Sequence, residues 1–134
     1  MANKLSPHKP LLLLSVIDLI EANVISSSHI SLSKELIDAF AHNARLYASQ
    51  EGHFRPNIGT PFFYMRSEPF WKLVPKDEGV TPIANTIHSL CRYYDFAEID
   101  LELFLLFQNI DARQKFRQIL IDTYLKKSTS NNVN

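Results

Sequence analysis

The run Pro10-Leu11-Leu12-Leu13-Leu14-Ser15-Val16-Ile17-Asp18-Leu19-Ile20-Glu21 constrains the fold more than any other segment. It predicts a helix over 10–22, apolar nearly all round, with Ser15, Asp18 and Glu21 as its polar stripe. A helix apolar on most sides is a central, buried one, so the remaining chain must wrap it. The run is too short and too interrupted to span a bilayer, which needs about 20 apolar residues. Lys4 and Lys9 precede it as in a signal peptide, but Asp18 and Glu21 stand where a small-residue cleavage site is needed. The expectation is a cytoplasmic protein with no membrane segment.

Pro10 suits the first helical position, which leaves His8 and Lys9 at the N-terminal mouth of this helix. Cations there oppose the helix macrodipole, and an anion bound at the mouth reverses the sign of that effect. The 134 residues are the length of one domain. With 46% hydrophobic and 11% aromatic residues, disorder of the body is excluded. One cysteine, Cys91, excludes an internal disulfide framework and a multi-Cys metal site, and fits a reducing compartment.

The pattern predicts an α+β fold, mostly helical, with about five helices and a small antiparallel β-hairpin. Residues 24–30 read as a loop, and Ser31 caps a second helix to about Ala48 carrying Leu32, Leu36, Ile37, Phe40, Ala41 and Ala44. Residues 49–60, with Gly52, Pro56, Asn57 and Gly59, read as a loop. The hairpin is expected over 61–75, its arms Phe62-Phe63-Tyr64-Met65 and Phe70-Trp71-Lys72-Leu73-Val74 joined through Ser67-Glu68-Pro69. Thr81-Pro82 opens a third helix with Ile83, Ile87, Leu90, Cys91 and Tyr94 on one stripe. Asp100 caps a short helix to Gln108, and Asp111 to Gln114 resembles the capping box of a last helix to about Lys127. The stripe of that helix is Phe116, Ile119, Leu120, Thr123 and Tyr124. One domain is thus expected over 1–127, with a flexible tail over 128–134.

Net charge is zero, but its distribution is uneven. Residues 42–76 hold Arg45, Arg55, Arg66, Lys72 and Lys76 against Glu51 and Glu68; residues 95–111 hold Asp95, Glu98, Asp100, Glu102 and Asp111 with no base. Residues 112–127 hold Arg113, Lys115, Arg117, Lys126 and Lys127 against Asp122. A neutral chain can therefore present a basic face to an anion, with Arg55 and Arg66 among its contacts. Catalytic patterns are missing: no two His stand at metal-ligand helical spacing, there is no Cys-x-x-Cys and no Gly-rich phosphate loop. Cys91, on an apolar stripe, reads as core and not as a nucleophile. The chain is expected to bind without transforming, with neither metal nor cofactor.

Two segments carry a resemblance. Ser6-Pro7-His8-Lys9-Pro10-Leu11-Leu12-Leu13-Leu14 resembles the opening of the DNA-recognition domains that precede HNH nuclease domains in modification-dependent bacterial restriction enzymes. Thr60-Pro61-Phe62-Phe63-Tyr64-Met65-Arg66-Ser67-Glu68-Pro69-Phe70-Trp71-Lys72-Leu73 is similar to the same family's aromatic hairpin. The stretch Ile99 to Phe104 and the closing Ile121-Asp122-Thr123-Tyr124 also fit, so the resemblance spans nearly the whole chain. The best understood members are sulfur-binding domains, which recognise DNA carrying a phosphorothioate. The resemblance implies a sensor of phosphorothioate-modified double-stranded DNA in a restriction system, with cleavage done by a fused or separate HNH domain that this sequence does not contain.

By the same resemblance His8 and Lys9 match the family's basic pair and Pro61 matches the proline of the sulfur pocket. The family's Tyr before that proline is Thr60 here, its small residue three positions after is Tyr64, and Tyr64 could supply the ring that Thr60 lacks. His88 or Arg92 stands where the family has a further basic residue. Pro61 and Tyr64 are expected to be exposed, Phe63 and Trp71 to be core. Two alternatives remain open: binding of a modified base or of unmodified duplex, and a helical protein-interaction module using the acidic 95–111 face and the aromatic hairpin to dock a partner protein.

Overall fold

The computed structural model describes residues 7–48 and 56–125. Helix α1 spans His8–Glu21 and is the core of the molecule: Leu11, Leu12, Val16 and Ile17 have no exposed surface. It starts two residues earlier than expected, so His8 and Lys9 form its first turn and Pro10 is its third residue. A proline is tolerated there because the first N–H groups of a helix have no intrahelical acceptor. Asn23, with φ 63°, turns the chain out of α1 in the left-handed region that Asn tolerates.

Residues 24–30 are mostly loop but end in a two-residue strand, β1 (His29–Ile30). Helix α2 (Lys34–Tyr47) is capped by Ser33, whose Oγ accepts from Leu36 N, and not by Ser31. That frame turns Leu36, Phe40 and Ala44 onto α1. Between the two helices a polar seam is fully used. Ser15 Oγ donates to Leu11 O, and Asn43 Nδ2 donates to Ser15 Oγ and to Asp18 Oδ2 at 3.0 and 2.9 Å.

The expected first arm of the hairpin is a helix. Helix α3 (Gly59–Tyr64) runs into a 3₁₀ turn (Met65–Ser67) before strand β2 (Trp71–Pro75). Adjacent Phe62 and Phe63 are both buried with Pro61 and Met65, whereas a strand would send alternate side chains to opposite faces. Packing on α1 thus overrides the strand preference of the aromatic run. Trp71 Nε1 donates to Phe62 O at 3.0 Å and ties β2 to α3. Gly59 is required at the start of α3: a Cβ there would stand 2.5 Å from the Asn85 carbonyl oxygen.

The partner of β2 is β3 (Tyr94–Ile99), which also pairs with β1 to give an antiparallel three-stranded sheet of order β1-β3-β2. The register slips between Val74 and Pro75, and this irregularity lets Tyr94 and Ala97, three apart, both turn inward. Between β2 and β3, residues 81–86 are not helical; helix α4 is only Ile87–Tyr93, capped by Thr86 and Ser89. Of the stripe expected there, Ile83, Ile87 and Cys91 are exposed, and Leu90 and Tyr94 alone are buried. Cys91 is therefore not core. Helix α5 (Leu101–Gln108) begins where expected. Helix α6 (Ile110–Leu120) is capped by Asn109 Oδ1, which accepts from Ala112 N, and not by Asp111; a π-helical turn (Ile121–Leu125) continues it. The mostly helical α+β architecture stands, with six α-helices among the described residues. None of them is long and apolar enough to cross a membrane.

Candidate nucleic-acid interface

A cleft of about 600 Å³ opens where the first turn of α1 meets α3 and the end of α6. His8, Lys9, Pro10 and Leu13 supply one wall; Thr60, Pro61, Tyr64 and Met65 supply another. Glu68 and Phe70, then Leu120 and Tyr124, close it. The volume suits a ligand of many atoms, well beyond a single sulfur or oxygen. Its lining is mostly apolar, with polar groups gathered around His8, Lys9 and Glu68.

Each wall follows from local chemistry. The burial of Leu11 and Leu12 fixes the phase of α1 and brings Lys9, Pro10 and Leu13 to the cleft. Asn57 holds the start of α3: its Oδ1 accepts from Gly59 N at 3.1 Å and its Nδ2 donates to Thr60 Oγ1 at 3.2 Å. Pro61 is buried, contrary to expectation, yet still lines the cleft; Tyr64 is exposed as expected. The Tyr64 ring meets buried Phe63 edge-on, with centroids 4.9 Å apart.

The charge at the mouth is partly satisfied from within. Lys9 Nζ donates to Ser67 Oγ at 2.9 Å and to Glu68 Oε2 at 3.3 Å. His8 is half-buried, and burial holds its imidazole below the ordinary value of 6.5, since desolvation disfavours the charged ring. The first turn of α1 contains no acidic side chain of its own. An anion entering the cleft would therefore meet one lysine it can take from Glu68 and one histidine whose charged form, protonated from solvent, it would favour.

Other expected contacts lie elsewhere. Arg66 is exposed, its guanidinium 4.2 Å above the Phe63 ring, and lines a separate notch. His88 and Arg92 are exposed on α4 and do not line the cleft; Arg92 lies over Tyr93 at 5.5 Å. Arg55 falls outside the described residues. The basic segment 112–127, described as far as residue 125, does not turn all its cations to solvent. Arg117 Nη2 binds Asp18 Oδ1 and Glu21 Oε1, each at 2.7 Å, and Arg113 is buried with Nη1 on Phe107 O. Burial would lower the pKa of Arg117, but its two carboxylate partners raise it above the ordinary value. Sequence reasoning missed Pro10, Leu13, Met65, Glu68, Phe70, Leu120 and Tyr124 as cleft residues. The i,i+4 pair Leu120 and Tyr124 was visible as one stripe, though not the element it would face.

The chain matches no family model, and no curated protein matches it significantly.

Proposed function

We propose that this chain binds double-stranded DNA at the α1–α3 cleft and prefers a phosphorothioate linkage there, as the sensor part of a modification-dependent restriction system in the cytoplasm. One observation carries the proposal: His8 and Lys9, about fifty residues from Thr60, Pro61 and Tyr64 in sequence, line the same cleft with them. The chemistry favours sulfur over oxygen. A phosphate oxygen brought against Pro61, Tyr64 and Met65 loses hydration and finds an apolar wall, at a cost of about 1–3 kcal/mol. Sulfur is larger, more polarisable and a poor acceptor, so it loses little. The difference amounts to roughly fivefold to 150-fold in affinity. Lys9 and His8 hold the negative charge that remains on the group. Any cleavage belongs to a fused or separate HNH nuclease domain.

The test compares one duplex carrying a single phosphorothioate with the same duplex unmodified, at fixed salt, by fluorescence anisotropy. Preferential binding of the sulfur duplex supports the proposal. Equal binding favours unmodified DNA or a modified base as ligand, and no binding at low salt favours a protein-interaction module. Lys9→Ala weakens both duplexes, whereas Pro61→Ala mainly erases the discrimination; the reverse pattern refutes the assignment of roles.

A further inference from the structure

The 3₁₀ turn after α3 has two sides. Tyr64 and Glu68 face the cleft, while Arg66, between them in sequence, lines a second notch of about 210 Å³ together with Trp71, Lys72, Leu73, Thr81 and Tyr94. This notch differs in charge from the other concavities. The cleft contains Glu68, and a third hollow is lined by both Lys76 and Asp95. The second notch is lined by two cations and two hydroxyl-bearing residues, Thr81 and Tyr94, with no carboxylate.

Neither cation is neutralised by an ion pair among the described residues. Arg66 sets its guanidinium over the Phe63 ring, 4.2 Å from Cζ to the centroid, a contact that takes up none of its N–H groups. Lys72 stands opposite Glu98 in the β2–β3 register, and also borders a hollow containing Glu98 and Asp100. The Glu98 carboxylate, however, is turned to His29 Nε2 at 3.6 Å. The Tyr94 hydroxyl donates to Pro82 O, and Trp71 Nε1 to Phe62 O, so the notch walls are fixed by bonds to their own frame.

We propose that Arg66, Lys72 and Thr81 form a second anion site, which takes an unmodified backbone phosphate of the DNA whose modified linkage occupies the cleft. This inference rests on the proposed function for its ligand. The planar fork of Arg66 and the point charge of Lys72 suit the two non-bridging oxygens of one phosphate, and Thr81 can donate to either of them. Unlike the cleft, the notch presents its cations directly, so an ordinary phosphate oxygen keeps a partner for each lone pair it turns inward. The two sites then divide the work: the notch contributes affinity and register without regard to sulfur, and the cleft contributes discrimination.

The test is the salt dependence of duplex binding by the whole chain, for wild type, Arg66→Gln, Lys72→Gln and the double variant, on both the sulfur and the unmodified duplex. Each lost contact should lower the slope of log affinity against log salt by about one, and the double variant by about two. The ratio of sulfur to unmodified affinity should stay at its wild-type value. Arg66→Lys keeps the charge and should keep most of the slope, which separates lost charge from lost packing on Phe63. An unchanged slope in the double variant overturns the second site, even where wild type prefers sulfur. A lowered slope on unmodified duplex, with a wild-type sulfur ratio of one, upholds the second site and overturns the sulfur reading instead. Absence of any duplex binding by folded wild type overturns both.

Discussion

Glu68→Gln should tighten DNA binding. In the free protein Lys9 Nζ lies 3.3 Å from Glu68 Oε2, with the two side chains 38% and 41% exposed. Pairs this exposed are worth about 0.2–1 kcal/mol, far below what a low-dielectric Coulomb energy would suggest. A phosphate that recruits Lys9 must break that pair and then sit beside a carboxylate lining the same cleft. Removing the charge relieves both terms, each of similar size, so the gain is about 0.4–2 kcal/mol, or roughly twofold to thirtyfold in affinity. Lys9 keeps its hydrogen bond to Ser67 Oγ, and the neutral amide that replaces the Glu68 carboxylate can still accept from it, so the fold should lose at most about 1 kcal/mol. The assay is fluorescence anisotropy at two salt concentrations on sulfur-containing and unmodified duplexes, with a thermal melt as the folding control. Both affinities should rise together and the gain should shrink at high salt. Weaker binding by a fully folded Glu68→Gln would show that Glu68 helps to bind the ligand and would refute the displacement of Lys9.

Three further outcomes follow from the geometry. Gly59→Ala drives a methyl against the Asn85 carbonyl at 2.5 Å and should destabilise the fold by about 1–3 kcal/mol, read as a clearly lowered Tm; an unchanged Tm would show that α3 and residues 85–86 part without penalty. Asn43→Leu removes one buried hydrogen bond and one part-buried one to a carboxylate, at roughly 2–4 kcal/mol by denaturant unfolding. Asn43→Asp should be worse at neutral pH, because it sets a carboxylate against Asp18, and should recover relative to Asn43→Leu in acid. For His8, whose folded pKa is held below 6.5, the unfolded chain takes up the proton first, so this residue makes stability fall as pH drops below about 6.5 and contributes no slope above it. A bound anion favours the imidazolium, so DNA affinity should rise over that same fall in pH; His8→Gln should flatten both trends, and an affinity that rises with pH would refute the placement of the anion.

The stripe of α1 shows what a local pattern can and cannot reveal. Its apolar excess over Pro10 to Ile20 announced a buried central helix, and the polar residues Ser15, Asp18 and Glu21 announced one non-apolar side. That side is met by Asn43 of α2 and Arg117 of α6, partners 25 to 99 residues away that periodicity does not name. The same limit explains α3. Phe62, Phe63 and Tyr64 carry strand preference, but the energy of burying both phenylalanines in the core exceeds a preference whose whole range is about 1 kcal/mol. The spacing of Ile83, Ile87 and Cys91 is helical in number, yet Ile83 lies before α4 and all three are exposed among the described residues.

From the sequence alone came the fold class, the buried first helix and α5 from Leu101 to Gln108. These rest on apolar periodicity and residue chemistry, which are local; the grouping of His8 and Lys9 with Thr60, Pro61 and Tyr64, which line one cleft, was instead what the family resemblance implied. Only tertiary packing decided that Lys9 is held by Glu68, that Leu120 and Tyr124 close the cleft, and that Arg113 and Arg117 turn to structural partners. Each of these depends on which distant surfaces meet, and that is fixed by how all the apolar faces are buried together.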